Sequence, residues 1–267
     1  MKFENTKVMN FEGAFRGLRN PLNSWDKSDS QFGIAPRDQA IAIARAMATD
    51  MFPKGEDTDK VFEYSDKIVK NGIQLFNNND ANYYEYNLLG LADLDLAHRM
   101  IKASSSERKF LRQIFVSVDI TAPLYWWKEM DTYKVSTVAN STSTMHKLAT
   151  TPITIDCFET DDMDKEWLSE TQIEATAYTW VEDIIDFCET LRLKYLETRD
   201  IRYWKELIRW LPESWLQTRT WTANYEILRN IYMQRRNHKL SEWHTFCDWI
   251  ENCLPYAKDL ILYDLYN

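Results

Sequence analysis

The stretch Gln113–Leu148, QIFVSVDITAPLYWWKEMDTYKVSTVANSTSTMHKL, decides the fold of this 267-residue chain. In its first part apolar residues alternate with Ser117 and Asp119, which is the period of two of a half-buried strand. Pro123 then opens a short helix, because the first N–H of a helix has no intrahelical partner to lose. The spacing therefore predicts a strand that leads directly into a helix.

A second extended run and a polar loop are expected after this helix. Residues 132–138 are β-branched and aromatic, which favours an extended backbone. The loop that follows contains Asn140, Ser141, Thr142, Ser143 and Thr144. Such side chains bind a phosphate or a base edge, or they bond to their own backbone as a simple turn. The residues alone leave both interpretations open.

Most of the remaining chain is predicted to be helical. The apolar spacing favours helices over 36–48, 58–70, 91–100, 173–195, 202–210, 221–234 and 239–254. The acidic residues expected to cap the long helix are Asp161, Asp162 and Asp164. Strand is expected mainly in 113–138 and near 152–157, a turn at 77–80, and an irregular arm in 1–34. We therefore expect an α+β fold, in which residues 1–267 form one mostly helical domain around a small antiparallel sheet.

The composition argues against several classes of protein. A hydrophobic fraction of 45% with only 6 Gly and 7 Pro is typical of an ordered globular chain. The net charge of −9 opposes binding to nucleic acid or to an anionic membrane. We find no export signal and no membrane-spanning run, so a cytoplasmic protein is expected. The four cysteines are widely spaced, and we expect reduced core thiols and no metal site.

The predicted helix from Trp221 carries the sharpest polar pattern. Asn224 and Arg235 share one helix face, with Leu228 and Ile231 between them. The cations on and after this helix are Arg229, Arg235, Arg236, His238 and Lys239. Guanidinium groups bind phosphate through paired hydrogen bonds, so this cluster is either an anion site or a solvated helix end. The chain contains no dinucleotide-binding glycine motif, P-loop, zincin motif or nucleophile elbow.

The two stretches together resemble the flavin-dependent thymidylate synthases. Ala122, Pro123 and Leu124 match the family's Ala-Pro-hydrophobic step, and residues 140–143 resemble its serine loop. The downstream matches are Leu211 and Pro212, then residues 221–224, then Arg235 and Trp243. The likeness spans roughly residues 91–255. The amino-acid sequence is also similar to that of a phage-encoded branch of the family, which implies a viral or prophage origin.

The resemblance implies a homotetramer of mixed α and β structure. It implies the use of FAD, reduced by NADPH, to transfer a one-carbon unit from methylenetetrahydrofolate to dUMP. The residues implied for dUMP are Asn140, Ser141, Ser143, Arg235 and Arg236, with Ser143 in the catalytic position. The residues implied for the flavin are Thr132, Tyr133, Lys134 and Asn224.

Thr132, Tyr133 and Lys134 stand where the family carries an Arg-His-Arg motif. Each charge-assisted hydrogen bond contributes roughly 1.5 to 3 kcal/mol, so losing these cations weakens a phosphate site. Three hypotheses are compatible with the absence of the Arg-His-Arg motif. The chain is a flavin-assisted enzyme acting on a deoxyuridine nucleotide, a phage protein that sequesters a signalling nucleotide without catalysis, or a structural phage protein that forms an oligomer.

Overall fold

The computed structural model describes residues 1–52, 57–77, 80–143, 148–161, 163 and 177–265. The helices are α1 (Phe11–Arg19), α2 (Arg37–Met51), α3 (Thr58–Gly72), α4 (Leu91–Ala103), α5 (Leu124–Met130), α6 (Ala177–Thr198), α7 (Ile201–Trp210), α8 (Tyr225–Arg235) and α9 (Ser241–Cys253). The strands are β1 (Lys2–Met9), β2 (Gln31–Pro36), β3 (Ile73–Asn77), β4 (Asp80–Leu88), β5 (Phe115–Pro123), β6 (Val138–Ser141) and β7 (Leu216–Asn224). This combination confirms the expected α+β class.

The chain divides into two compact units. The first comprises Met1–Asn5, Val118–Lys134 and Val138–Trp221. The second comprises Thr6–Ser117, Val135–Thr137 and Thr222–Asn267. The strands form a four-stranded sheet in the order β1-β5-β7-β6 and a three-stranded sheet in the order β2-β4-β3.

The first unit is organised around β5, β7 and α5. The hydroxyl groups of Thr121 and Thr218 are 2.7 Å apart and link the two strands. The Asp119 carboxylate accepts hydrogen bonds from Thr220 and Asn5, and these bonds lower its pKa. A separate apolar core packs α6 against α7, with Leu148, Ile153, Phe158, Ile185, Cys188, Leu191 and Leu207 at its centre.

The second unit contains the antiparallel sheet β2-β4-β3, backed by α2 and α3. Its central strand β4 pairs with β2 over Gln31 to Pro36 and with β3 over Ile73 to Asn77. The core between sheet and helices contains Ala44, Met47, Ala48, Tyr64, Ile68 and Leu88. One face of the sheet is therefore buried against α2 and α3.

The strand and helix predicted from the opening stretch are confirmed. Val116, Val118, Ile120 and Ala122 are buried along β5, and α5 starts immediately after Pro123. The extended run predicted for residues 132–138 is wrong for residues 132–137, which are not in a strand. Only Val138, where β6 begins, is extended as predicted. The end of α5 imposes a turn, since the N–H and hydroxyl of Thr132 both bond to the Glu129 carbonyl.

Several other expectations are corrected. Residues 1–34 are not irregular, because they contain β1, α1 and the start of β2. Residues 221–224 belong to β7, so the expected helix begins at Tyr225. The strand expected near 152–157 is a 3-10 turn at Ile155–Cys157. The central residues of the 77–80 turn, most of the Asp161–Asp164 cap and residues 173–176 lie outside the described residues.

A buried polar network ties α1, the segment before β2 and α4 together in the second unit. Arg19 Nε lies 2.7 Å from the Asp93 carboxylate, and both side chains are almost completely buried. The same carboxylate accepts hydrogen bonds from Ser28 at 2.7 Å and Ser30 at 2.5 Å. Asp29 accepts from the backbone N–H of Asp93 at the start of α4. Among the described residues, the hydrogen-bond partners of the Asp93 carboxylate therefore come from residues 19–30.

We expect Asp93→Ala to lower the free energy of unfolding by about 3 to 5 kcal/mol, because it leaves the Arg19 guanidinium buried without its counter-charge. Chemical denaturation measures this change. Asp95→Ala is the matched control, since Asp95 lies on the same helix in an exposed pair with Arg99. That pair contributes at most about 0.5 kcal/mol. Equal losses in the two variants would contradict a structural role for the buried pair.

All four cysteines are free thiols, but only two of them lie in the core. Cys188 and Cys247 are buried, whereas Cys157 is half-buried and Cys253 is exposed. Burial raises the thiol pKa of Cys188 to about 11 and that of Cys247 to about 12. The expectation of four core thiols is therefore wrong for Cys157 and Cys253.

A thiol-reactive reagent at mildly alkaline pH should modify Cys253 first in the native protein. Cys188 and Cys247 should react only after denaturation, because their raised pKa keeps them protonated and burial blocks access. Mass spectrometry of the labelled peptides measures the order. Early labelling of Cys247 would show that its helix opens in the native state.

Among the described residues we find no group of side chains suited to holding a metal ion. The helices described also include none with the length and apolar character needed to span a bilayer.

Candidate functional site

The second unit contains an open cavity of about 530 Å³ at the start of α8. It is lined by Ser105, Arg108, Arg112, Val135, Ser136, Asn224, Glu226, Ile227 and Asn230. Cavities of this size hold small molecules and cofactors. The lining includes two guanidinium groups and one carboxylate, so it has an excess of one positive charge in a chain whose net charge is −9.

Asn224 is held at the junction between β7 and α8. Its backbone is extended, and its side-chain oxygen accepts the N–H of Ile227 at 3.0 Å as the N-cap of the helix. The residue is only 4% exposed, so the cap also fixes its amide at the cavity wall. The cavity lies at the start of α8, where the positive end of the helix dipole favours an anion. The N–H groups of Tyr225 and Ile227 are already bonded, to the Ile114 carbonyl and to Asn224.

Two arginines come from the segment between α4 and β5. Arg108 Nε lies 2.8 Å from the Glu226 carboxylate, and both side chains are largely buried. Arg112 is exposed and donates to the Ser105 carbonyl at 3.0 Å. Arg108 is thus paired with Glu226, whereas Arg112 lines the cavity from an exposed position.

The third wall of the cavity is the turn formed by Val135 and Ser136. Ser136 has a φ of 62°, in the left-handed region that non-glycine residues rarely adopt. Val135 is 77% exposed. An exposed β-branched side chain beside a polar cavity offers an apolar surface to a flat ring.

The sequence did not single out the two arginines or Asn230, Glu226 and the Val135 turn. The available signal was the spacing of Arg108 and Arg112, four residues apart in the segment before β5. Nothing in that spacing indicates Glu226 as the partner of Arg108, because 118 residues separate the pair.

Of the residues expected at the site, only Asn224 lines this cavity in the described part of the chain. Arg235 lies eleven residues further along α8, about 16 Å at 1.5 Å per residue. Its guanidinium carbon is 4.6 Å from the centroid of the Trp243 ring. Arg236 donates to the Leu265 carbonyl at 3.3 Å. The helix therefore carries Asn224 and the two arginines to its opposite ends.

The apolar strip between Asn224 and Arg235 faces the protein core. Leu228 and Ile231 are both completely buried. Arg229, a member of the expected cationic cluster, is also buried and donates to the carbonyls of Ile261 and Tyr263. Burial lowers its pKa. Arg229 thus anchors the C-terminal segment.

The remaining expected residues belong to the first unit. Thr132, Tyr133 and Lys134 form the turn after α5, with Thr132 and Lys134 exposed. Asn140 and Ser141 are exposed on β6, and Ser143 is half-buried just beyond it. Thr144 lies outside the described residues. Lys134 is followed directly by Val135, which lines the cavity of the second unit.

No protein-family model matches the chain, and no curated protein matches it. Its structure is similar to that of thymidylate synthase X from Helicobacter pylori, solved with FAD and dUMP. The TM-score is 0.57 and the identity 12%, over 99% of each chain. The fold is similar to that of thymidylate synthase X. A second structure of the H. pylori protein with FAD and dUMP gives a TM-score of 0.48 and 14% identity, over 87% of this chain and 95% of that one.

Asn224→Ala should lower the free energy of unfolding by about 1 kcal/mol, because the N–H of Ile227 loses its cap. Asn224→Asp keeps the capping oxygen and should leave stability nearly unchanged. Chemical denaturation of both variants tests the role of the cap. Equal destabilisation by Ala and Asp would show that Asn224 acts through its amide nitrogen instead.

Proposed function

We propose that the chain is a nucleotide-binding protein of the flavin-dependent thymidylate synthase type, with residues 1–267 as one such domain. The observation that carries this proposal is the cavity at the start of α8, where Arg108, Arg112 and two asparagines surround a helix N-terminus. The similar fold over the whole chain supports the same assignment.

The residues of the cavity fit a dinucleotide such as FAD. Arg112 would hold a phosphate, whose negative charge the dipole at the start of α8 favours, and Asn230 would bond to a ring or ribose edge. Val135 would pack against a flat ring. A bound flavin would supply hydride transfer, and the chain would supply binding and orientation.

The second part of the proposal concerns dUMP. Asn140, Ser141 and Ser143 have amide and hydroxyl groups suited to a nucleotide phosphate, and Ser143 is the catalytic candidate. Arg235 and Arg236 are the further dUMP candidates at the far end of α8. Thr132, Tyr133 and Lys134 are proposed as a weakened flavin contact, in which Lys134 supplies the single positive charge.

We also propose that the chain forms a homotetramer, that NADPH reduces its FAD, and that it transfers a one-carbon unit from methylenetetrahydrofolate. Its proposed origin is a phage, and its proposed place of action is the host cytoplasm. Light scattering of the purified chain tests the tetramer.

We expect the purified protein to take up FAD, seen as a flavin absorption band in the visible spectrum, and to be stabilised by FAD and by dUMP. A ligand at a hundred times its dissociation constant stabilises the folded state by about 2.7 kcal/mol. Arg112→Gln should weaken FAD binding about tenfold or more, through the loss of charge-assisted bonds. Thermal shift and equilibrium titration measure both effects.

Arg99→Gln is the matched control, because Arg99 is exposed and, within the part of the chain that the structure describes, pairs with Asp95 on its own helix. It should bind FAD like the unaltered protein. A colourless protein that neither takes up FAD nor gains stability from any nucleotide would contradict the proposal and favour a structural oligomer.

The second candidate function is binding without catalysis. The pairing of Glu226 with Arg108 favours it, because a carboxylate within the cavity neutralises one of the two guanidinium groups. Stabilisation by nucleotides without conversion of dUMP, in the presence of NADPH and methylenetetrahydrofolate, would select this candidate over the enzyme.

A further inference from the structure

A second cavity of the same unit lies between α1 and the three-stranded sheet and has a volume of about 360 Å³. Tyr86 and Leu88 of β4 pack into the core with α2 and α3, so the alternating residues Glu85 and Asn87 point to the opposite face of the sheet, where they line the cavity. Among the described residues, this cavity shares no lining residue with the cavity at the start of α8. It is therefore a separate candidate site.

The part of the cavity that β2 forms is apolar. Phe32 and Ile34 are two positions apart on this strand, so their side chains lie next to each other on the same face of the sheet. Phe32 is half-buried, and Ile34 is 52% exposed. Covering this apolar surface with an apolar group of a ligand removes it from water, which favours binding.

The strand register places a carboxylate directly beside this apolar surface. Glu85 is the cross-strand partner of Ile34 on one side and of Gln74 on the other, and both of these residues are uncharged. The amide nitrogen of Asn87, a residue only 3% exposed, donates to Glu85 Oε1 at 3.4 Å. Within the described ranges of the chain, Glu85 forms no ion pair. Its carboxylate therefore lines the cavity without a counter-charge.

The wall that α1 forms carries charges of both signs. Glu12 and Arg16 are exposed and lie four residues apart on this helix, a spacing at which opposite charges commonly pair. In the part of the chain that the structure describes, however, Arg16 forms no ion pair within 4.0 Å, either with Glu12 or with Glu85. The cavity thus holds one guanidinium group and two carboxylates that do not neutralise one another directly. A ligand that bridges these groups must carry both a cation and an anion.

We propose that this cavity binds a free α-amino acid with an apolar side chain. The ammonium group of the ligand has three N–H donors and donates to the carboxylates of Glu85 and Glu12. The carboxylate of the ligand accepts hydrogen bonds from the guanidinium fork of Arg16. The side chain of the ligand packs along Phe32 and Ile34. This site is independent of the nucleotide cavity at the start of α8.

Ligands with only one of the two charges match the cavity less well. A carboxylic acid without an amino group brings its anion to a cavity that already contains two carboxylates, and it supplies neither of them with a cation. A primary amine pairs with Glu85 but gains nothing from Arg16. Because hydrogen bonds to charged groups are the stronger ones, the loss of either set weakens binding.

The test is calorimetric titration of the purified full chain with leucine and three analogues. The analogues are 3-methylbutylamine, which lacks the carboxylate, 4-methylpentanoate, which lacks the ammonium group, and glycine, which lacks the side chain. We expect leucine to bind at least about tenfold more tightly than each analogue. Absence of leucine binding at about 10 mM would overturn the proposal, as would equal binding of any one analogue.

Two variants separate the roles of the charges. Arg16→Gln should weaken leucine binding about tenfold and leave 3-methylbutylamine binding unchanged, because only leucine has a carboxylate to lose its partner. Glu85→Gln should weaken the binding of both compounds. Glu63→Gln and Arg99→Gln are the matched controls, since both residues are exposed and neither lines the cavity. Unchanged leucine binding in either test variant would overturn the proposal, as would an equal loss of both compounds in Arg16→Gln.

Ile34→Arg gives an independent test if Glu85→Gln fails to fold. Ile34 is exposed, and an arginine at this position would pair with the carboxylate of its cross-strand partner Glu85 and so displace the ligand ammonium. We expect this variant to lose leucine binding, and full binding would overturn the proposal. Arg112→Gln should leave leucine binding unchanged, and Ile34→Arg should leave FAD binding unchanged. Failure of the amino-acid site and failure of the flavin site are therefore distinguishable.

Discussion

The buried pair of Arg19 and Asp93 is the constraint on which the second unit depends. Asp93 at the start of α4 binds side chains from residues 19–30, and so joins α1 to the segment that enters β2. Separating the two charges in a dry interior would be strongly destabilising, so these three segments keep one arrangement. Their relative placement then follows from a single carboxylate.

The placement of two cavities depends on that arrangement. The segment after α4 carries Arg108 and Arg112 to the cavity at the start of α8. β2 starts one residue after Ser30 and, together with Arg16 of α1, lines the second cavity of about 360 Å³. The buried network determines which exposed side chains converge, and those side chains determine the chemistry.

The opening stretch was predictable because its physical signals are local. The alternation along β5 and the proline before α5 act over a few residues, and neighbouring segments do not override them. β7 was missed for the opposite reason. Its last residues, Trp221 to Asn224, continue the helical spacing of α8, and only pairing within the four-stranded sheet makes them extended. Periodicity does not detect a strand that ends inside an apolar helical pattern.

The strands of the three-stranded sheet were missed for another reason. β2 is short and contains Gly33 and Pro36, residues that are rare inside strands, and its outer face is only half-buried. Its conformation comes from pairing with β4, whose partner residues lie 47 to 57 residues later in the chain. Likewise, Asn224 was expected at a site because it lies in a family motif. The arginines that share its cavity, Arg108 and Arg112, come from a segment that contains no motif. Long-range pairing is invisible to local reasoning.

The fold and the site vary under different physical constraints, which explains how the fold persists at 12% identity to thymidylate synthase X. The fold rests on buried strand faces and on Asp93, where a change disturbs many neighbours at once. Thr132 and Lys134 are exposed in the turn after α5, and Arg112 is exposed on a short 3-10 helix, so a change in charge there disturbs little else. Two chains that share this fold can therefore carry their cations on different segments, because an exposed charge on a turn contributes little to the packing that maintains the fold.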